Sequence, residues 1–233
     1  FPTRRSSDLY GVNGGIGAGS ETGNLPVAGG NNYEKFTLEL KNLYGKIEIS
    51  DKAIRASMNS AGAFVNLLNA EMEGLIKASG FNFGRMLFGD GSGKICKVLD
   101  NAVSGTSTTV VTVDTVKALA EGMIVDIIDA SGNVKSSKTA VKVTNVDRLN
   151  KKVTLLTTGF AASDLKVTTS QTTQYYLCVQ GSFNKELTGL GAIFDTNLTS
   201  LYGLNRAANS WMNPYTHSIK AESSNSNIKD VDI

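Results

Sequence analysis

The sequence predicts an α+β fold in which a β-hairpin, one long helix and a small β-barrel follow one another along the chain. Three observations support this fold class. Polar and apolar residues alternate over residues 36–49, apolar residues recur at steps of three and four over residues 51–79, and short β-rich segments separated by turn residues fill residues 103–173. Alternation is typical of half-buried strands, and steps of three and four are typical of an amphipathic helix.

The composition is that of a globular protein without a strong charge preference. The chain has 233 residues, of which 41% are hydrophobic and 19% charged, and its formal net charge is +2. A net charge this small provides no global field that would attract nucleic acid or a membrane. No apolar run approaches the ~18 residues that a membrane span needs, and no charged leader precedes an apolar core. The sequence therefore predicts no membrane partner.

Both ends of the sequence suggest a fragment. Residues 1–9, FPTRRSSDL, resemble a translated sequencing adaptor and are interpreted as an artefact. Residues 229–233 alternate polar and apolar side chains, as a strand does at its beginning, so we expect truncation at both ends. Residues 10–32 are rich in glycine and predict a pliable N-terminal arm.

Residues 33–50 predict a hairpin of two half-buried strands. Two strands with few apolar side chains are marginally stable alone in water. We therefore expect this hairpin to bury its apolar face against a neighbouring subunit. The predicted intersubunit contacts are Phe36, Leu38, Leu40, Leu43, Ile47 and Ile49.

Residues 51–79 predict one long helix. Its apolar stripe consists of Ile54, Met58, Ala61, Val65, Leu68, Met72, Leu75 and Ser79. Ser50 or Asp51 is the expected N-cap, and Gly80 the expected stop. Such a helix would be about 43 Å long and could bend at Gly62 or Gly74.

Residues 103–173 predict a compact barrel or sandwich inserted into a larger domain. The predicted core consists of Val111, Val113, Ile124, Ile127, Val143, Val146, Val153 and Leu155. This module is locally basic, through Lys135, Lys138, Lys142, Arg148, Lys151 and Lys152. A solvated surface is the simplest interpretation, and subunit contact or nonspecific nucleic-acid contact are the alternatives. Residues 174–233 predict mixed loop and helix.

No motif indicates catalysis. In Gly15–Gly19 the third glycine is not at the position that the G-x-G-x-x-G motif of a dinucleotide-binding loop requires. Gly89–Lys94 has neither the residue spacing of a phosphate-binding loop nor the Ser or Thr that follows its lysine. His217 is the lone histidine, and Cys96 and Cys178 have no metal-type spacing and are expected to be buried reduced thiols. We therefore predict no catalytic residue, no cofactor, no metal site and no enzymatic activity.

The order of the elements carries a resemblance to a known family. A glycine-rich arm leading into Leu25-Pro26, the hairpin, the long helix with Gly62-Ala63-Phe64-Val65, and the turn Leu87-Phe88-Gly89-Asp90-Gly91-Ser92-Gly93 together resemble tailed-phage major capsid proteins, which have the Hong Kong 97 phage-type capsid fold. The resemblance implies an extended loop at 33–50, a peripheral domain with its spine helix at 51–102, an inserted β-barrel domain at 103–173, and an incomplete axial domain at 174–233.

The resemblance implies a structural function. The expected protein is the major head protein of a tailed bacteriophage, which self-assembles in the bacterial cytoplasm into the icosahedral shell of the virion. Expected partners are further copies of the chain, with scaffold, portal and decoration proteins and nonspecific contact with packaged DNA. An encapsulin-type nanocompartment shell is the main alternative, and a β-rich secreted adhesion module is a further one.

Overall fold

The computed structural model describes residues 4–9, 11–57, 61–104, 107–135, 138–157, 165 and 173–216. The chain divides into two compact units. The first comprises Phe1–Leu40 and Ile193–Ile233, and the second comprises Lys41–Ala192.

Two helices open the second unit. Helix α1 spans Asp51–Ser57 and helix α2 spans Ala61–Phe88. The hydroxyl of Ser50 accepts a hydrogen bond from the Ala53 N–H at 3.2 Å, so Ser50 is the N-cap of the two residues expected, Ser50 or Asp51. Helix α2 continues through Gly80, the predicted stop, and ends at Phe88. Gly80 does not adopt the left-handed conformation that ends a helix.

The strands of the second unit form a closed antiparallel barrel. They are listed in chain order: β3 Lys94–Ser104, β4 Thr109–Val113, β5 Ile124–Asp129, β6 Val141–Asp147, β7 Lys152–Leu156 and β8 Tyr175–Val179. The order around the barrel is β3-β4-β7-β6-β5-β8, and β8 pairs back onto β3. Closure leaves no unpaired strand edge. The barrel uses strands on both sides of the 103–173 segment.

The barrel encloses a dense apolar core. In β4 the side chains of Val111 and Val113 point inward and their neighbours do not, as the twofold period of a strand requires. Seven of the eight predicted core residues are buried. Ile124 is the exception, with 38% of its surface exposed. It lies on the outer face because Val125 and Ile127 take the inward positions of β5.

One buried carboxylate ties strand ends of the barrel together. Asp126 of β5 accepts hydrogen bonds from the Thr139 hydroxyl at 2.6 Å, the Ala140 N–H at 2.8 Å and the Gly181 N–H at 2.8 Å. A buried carboxylate is stable only when its lone pairs are satisfied. Asp126 meets that condition with neutral donors, so its role is structural.

The first unit contains short elements. Strand β1, Arg4–Leu9, pairs antiparallel with β2, Tyr33–Leu38, and β9, Ser200–Leu201, pairs with β10, Leu204–Asn205. Helix α3, Leu190–Phe194, begins in the second unit and ends in the first, and a 3₁₀ helix of the first unit spans Ser210–Met212. Buried Arg206 donates hydrogen bonds to the carbonyl oxygens of Ile193, Asp195 and Leu198, which satisfies acceptors at the end of α3.

The predicted hairpin over residues 33–50 is wrong. Residues 33–38 form a strand, but its partner is Arg4–Leu9, and residues 39–50 contain no strand. Alternation in a sequence indicates that a segment can pair, but it does not name the partner. Strand β2 therefore pairs with residues that lie in the segment interpreted as an adaptor artefact.

The predicted Hong Kong 97 phage-type capsid fold is also wrong. A closed six-stranded antiparallel barrel dominates the described residues, which contain three α-helices and no spine helix of that fold. The order of elements along the chain suggested the fold class. A fold class depends instead on which faces pack together, and here most of the packing lies inside the barrel.

Candidate interaction surfaces

Helix α2 carries an apolar stripe that remains exposed. Its members recur at steps of seven and four: Val65, Met72, Ile76, Phe83 and Leu87. At about 100° per residue these positions fall within roughly 60° of one face. Ile76 is 68% exposed, and only Met86 is fully buried among the described side chains of the helix. An exposed apolar row of this length is typical of a contact surface.

A cavity of about 750 Å³ opens on another face of α2. We call it the α2 cavity. It is lined by Gly80, Phe81, Gly84, Arg85, Phe88, Gly89, Asp90, Lys94, Ile95, Lys117, Ala118, Glu186 and Gly191. Its volume lies in the roughly 300–1,000 Å³ range of ligand pockets. The lining combines apolar side chains with a few polar groups, so it suits an apolar ligand that also carries a hydrogen-bonding group.

An ion pair is buried in the wall of the α2 cavity. Arg85 donates from both terminal nitrogens to the two carboxylate oxygens of Glu186, at 2.8 Å and 2.5 Å. The two side chains are 7% and 4% exposed. Among the described residues, the Nε–H of Arg85 is buried without an acceptor. A buried donor without an acceptor costs free energy.

Residues 13–31 form a doubled-back loop, which we call the glycine loop. The Asn13 amide donates to the Asn31 side-chain oxygen at 3.0 Å, which joins the two limbs. A Cβ on Gly29 would lie 2.6 Å from the backbone nitrogen of Gly15, so the limbs approach too closely for any other residue there. Leu25 and Val27 are 90% and 87% exposed on this loop. The predicted arm is therefore a folded-back loop that presents apolar side chains.

The six predicted intersubunit residues are divided between the two compact units. Phe36, Leu38 and Leu40 belong to the first unit, and Leu43, Ile47 and Ile49 belong to the second. Phe36 is half-buried and meets Trp211 edge to face, with ring centroids 6.0 Å apart. Leu38, Leu40 and Leu43 are exposed, whereas Ile47 and Ile49 are half-buried. Intersubunit contact by these six side chains remains a prediction.

The α2 stripe and the α2 cavity were only partly visible in the sequence. The predicted stripe shares Val65 and Met72 with the exposed stripe, but Leu68 and Leu75 of the prediction are half-buried. The helical period beyond residue 79 was missed because Gly80 was interpreted as a stop. Phe81, Phe83, Leu87 and Phe88 were the signal that could have extended it.

The glycine turn after α2 is an ordinary turn. The Asp90 carboxylate accepts from the N–H and the hydroxyl of Ser92 at 2.9 Å and 2.7 Å, as in an Asx turn. This agrees with the sequence interpretation of Gly89–Lys94. His217 lies outside the described residues.

The two cysteines are buried and free, as the sequence predicted. Burial, together with the nearby carboxylates of Glu186 and Asp126, raises the pKa of the Cys178 thiol to about 12. The pKa of Cys96 is also raised, first by burial and then by Asp114. Both thiols stay protonated at neutral pH and are poor nucleophiles. Within the described residues no cluster of His, Cys, Asp and Glu has the geometry of a metal site.

Some of the basic side chains of the barrel have structural contacts. Arg148 donates to the carbonyl oxygens of Val116 and Leu119 at 3.5 Å and 3.4 Å, and Lys135 lies 5.1 Å from the ring centre of Tyr175. These contacts account for part of the local basic cluster. Nucleic-acid contact by the cluster remains a prediction.

Among the helices of the described residues, none is both long and apolar enough to span a membrane. Comparison with known proteins gave no match to a family model, to a curated protein or to a solved structure.

Proposed function

We propose that this chain is a structural subunit that works by self-association, and that the assembly is the head shell of a tailed bacteriophage. The single observation that carries self-association is the exposed stripe of α2. The phage assignment rests on the resemblance of the sequence segments to major capsid proteins. The structure does not have the fold that this resemblance implied.

The stripe favours a protein partner of fixed geometry. Each large apolar side chain that leaves water contributes about 1.5–3 kcal/mol. Five such side chains in one row along a 28-residue helix match the periodicity of a helix that packs against another surface. A second copy of the same chain always offers an identical row, so a symmetric pairing of α2 helices satisfies both copies at once.

The rest of the second unit supports an assembly function. The barrel is closed and buries its own core, so it needs no partner for stability. Helix α2 is held by Arg85 and Met86 near its C-terminal end and is approached by Gly45 beside Leu75, while the row from Val65 to Leu87 remains exposed. A barrel with its own core, joined to a helix whose apolar row is still exposed, suits a subunit that gains stability by contact with other copies.

The test is assembly of the purified chain, followed by sedimentation velocity and negative-stain imaging. We expect oligomers from the unmodified chain through the exposed row of α2, and shells from the full-length protein. A double variant, Ile76→Glu with Phe83→Glu, should remain monomeric because each oligomer contact would bury two carboxylates. The matched control is Ala70→Glu with Ala78→Glu, which adds the same charge at exposed positions on the opposite face of α2.

The outcomes separate the possible functions. A monomeric unmodified chain at all concentrations would overturn the proposal, as would oligomers that survive the stripe variant. Closed shells that hold nucleic acid after expression with neighbouring genes would favour the phage head. Shells that hold an enzyme cargo would favour a nanocompartment instead.

A further inference from the structure

We propose that the α2 stripe packs against the α2 stripe of a second copy with the two helices antiparallel, centred at the height of residue 74 along the helix axis. This inference deepens the proposed function and rests on it, because it states how the two helices are arranged. Two observations carry it independently. They are the spacing of the stripe residues and the position of a charged pair beside the stripe.

The spacing of four stripe residues is the same from either end of the helix. Val65, Met72, Ile76 and Phe83 are separated by seven, four and seven residues, so their positions are symmetric about residue 74. When two copies of α2 lie antiparallel about that height, Val65 of each copy lies opposite Phe83 of the other, and Met72 lies opposite Ile76. Each of these exposed side chains then meets an apolar partner.

The antiparallel arrangement also matches the sizes of the facing side chains. Facing positions pack densely when large residues alternate with small ones. The small Val65 faces the large Phe83, and the adaptable Met72 faces the rigid Ile76. A parallel pair would place Phe83 against Phe83 and Val65 against Val65, which crowds one end of the contact and leaves the other underfilled. Leu87 falls opposite the first residue of α2 and marks the end of the antiparallel contact.

One flank of the stripe carries a pair of opposite charges. At about 100° per residue, Glu73 and Lys77 lie roughly 80° and 120° from the centre of the stripe, in the same direction. The Lys77 ammonium lies 2.7 Å from a Glu73 carboxylate oxygen, and the two side chains are 76% and 68% exposed. Their positions are symmetric about residue 75, one residue from the midpoint of the stripe. The charged pair and the stripe therefore share nearly the same centre.

This charged pair favours the antiparallel orientation. The twofold axis of an antiparallel pair brings equivalent flanks together, so Glu73 of each copy lies beside Lys77 of the other. The two pairs then form a ring of alternating charge. A parallel pair instead brings opposite flanks together, and Glu73 would face the flank that carries Glu71 and Leu75. Because Glu71 is a like charge and Leu75 is apolar, the parallel pair lacks this complementarity.

Disulfide formation between introduced cysteines tests the orientation. Val65→Cys and Phe83→Cys are made as separate variants of the full chain, whose native cysteines are buried. In the antiparallel pair, residue 65 of one copy lies about 27 Å along the axis from residue 65 of the other. A disulfide allows a Cα separation of only about 7 Å. We therefore expect disulfide-linked dimers from a mixture of the two variants and none from either variant alone.

The matched control is a mixture of Ala70→Cys and Ala78→Cys. These positions are also symmetric about residue 74, and both are exposed, but they lie on the face of α2 opposite the stripe. No disulfide-linked dimer should form in this mixture. Circular dichroism verifies that each variant is folded, and sedimentation velocity under reducing conditions verifies that each still associates.

Charge reversal tests the position of the centre. Glu73→Lys should weaken dimerisation about tenfold, because four cations would meet in the ring. Lys77→Glu should weaken it similarly, since four anions would meet. A mixture of these two variants should dimerise as well as the unmodified chain, because a cationic flank then faces an anionic one. Sedimentation velocity measures each affinity.

The outcomes separate this inference from the proposed function. Disulfide-linked dimers of either cysteine variant alone, with none in the mixture, would overturn the antiparallel orientation and leave self-association intact. Dimers in sedimentation without any disulfide between residues 65 and 83 would do the same. Equal affinity of Glu73→Lys and the unmodified chain would overturn the centre near residue 74. An unmodified chain that stays monomeric at all concentrations would overturn both proposals.

Discussion

The barrel and helix α2 bury apolar side chains in opposite ways, although both belong to the same compact unit. In the barrel, Ile127 is fully buried and every strand pairs with two neighbours. In α2, Ile76 is 68% exposed, and anchoring is concentrated at Arg85 and Met86 near the C-terminal end. The comparison shows that similar apolar content is buried in one element and left exposed in another.

This difference follows from the geometry of each element. A sheet that closes on itself encloses a volume, so its inward side chains find partners within the same chain. A single helix encloses nothing and buries an apolar face only where another element covers it. The predictions below test how far stability is confined to the barrel and to the anchored end of α2.

The largest effect is expected at the anchor of α2. Glu186→Gln leaves the buried Arg85 guanidinium without a neutralising charge, which should cost about 3–5 kcal/mol of unfolding free energy. Urea denaturation measures it. The double variant Arg85→Met with Glu186→Leu should regain most of that loss, because no buried charge remains. A loss of less than about 1 kcal/mol in the single variant would show that the anchor is not a main source of stability.

A matched pair of isoleucines tests the barrel directly against the helix. Ile127→Ala leaves a cavity in the core and should cost about 2–5 kcal/mol. Ile76→Ala removes the same atoms from an exposed site and should change the stability of the monomer by no more than about 0.5 kcal/mol. Denaturation is measured below the concentration at which the chain associates. Equal losses would contradict the division between the two regions.

Hydrogen exchange sharpens the comparison residue by residue. Local opening is easiest where few apolar contacts must be broken. Amides of α2 before Ser79 should therefore exchange faster than amides of β4, β5 and β8, and assembly should slow the exchange of α2. Uniform protection across both regions in the monomer would contradict the idea that the exposed row of α2 leaves the helix less stable than the barrel.

The smallest effect concerns the buried thiols. The pKa of Cys178 in the folded chain is about 12, above its ordinary value of 9.0, so the folded state holds this proton more tightly. Its contribution to stability is complete below pH 9 and is lost as the pH rises toward about 12. We expect no reaction with a thiol reagent at pH 8 before unfolding. In Cys178→Ala, the unfolding free energy should fall less between pH 8 and pH 10 than in the unmodified chain.

The sequence predicted local structure better than it predicted the fold class. Turn residues and β-branched side chains predicted a barrel or sandwich, of which the structure has the closed barrel, and Ser50 was one of the two caps expected. The choice of Ile124 for the core failed because a run of four apolar residues in five does not reveal which side of the strand faces inward. The α2 cavity was not predicted, since Lys117 and Glu186 lie far from Gly84 in sequence.

The sequence by itself therefore determined the elements that show a regular pattern of apolar residues along the chain. These are the helical pattern of α2 and the alternating strands of the barrel. The tertiary structure decided which faces are covered. It paired residues 33–38 with residues 4–9 rather than with residues 46–50, and it left the row from Val65 to Leu87 exposed. The physical reason is that periodicity fixes the direction of a side chain relative to its own backbone, whereas burial depends on contacts between segments distant in the chain.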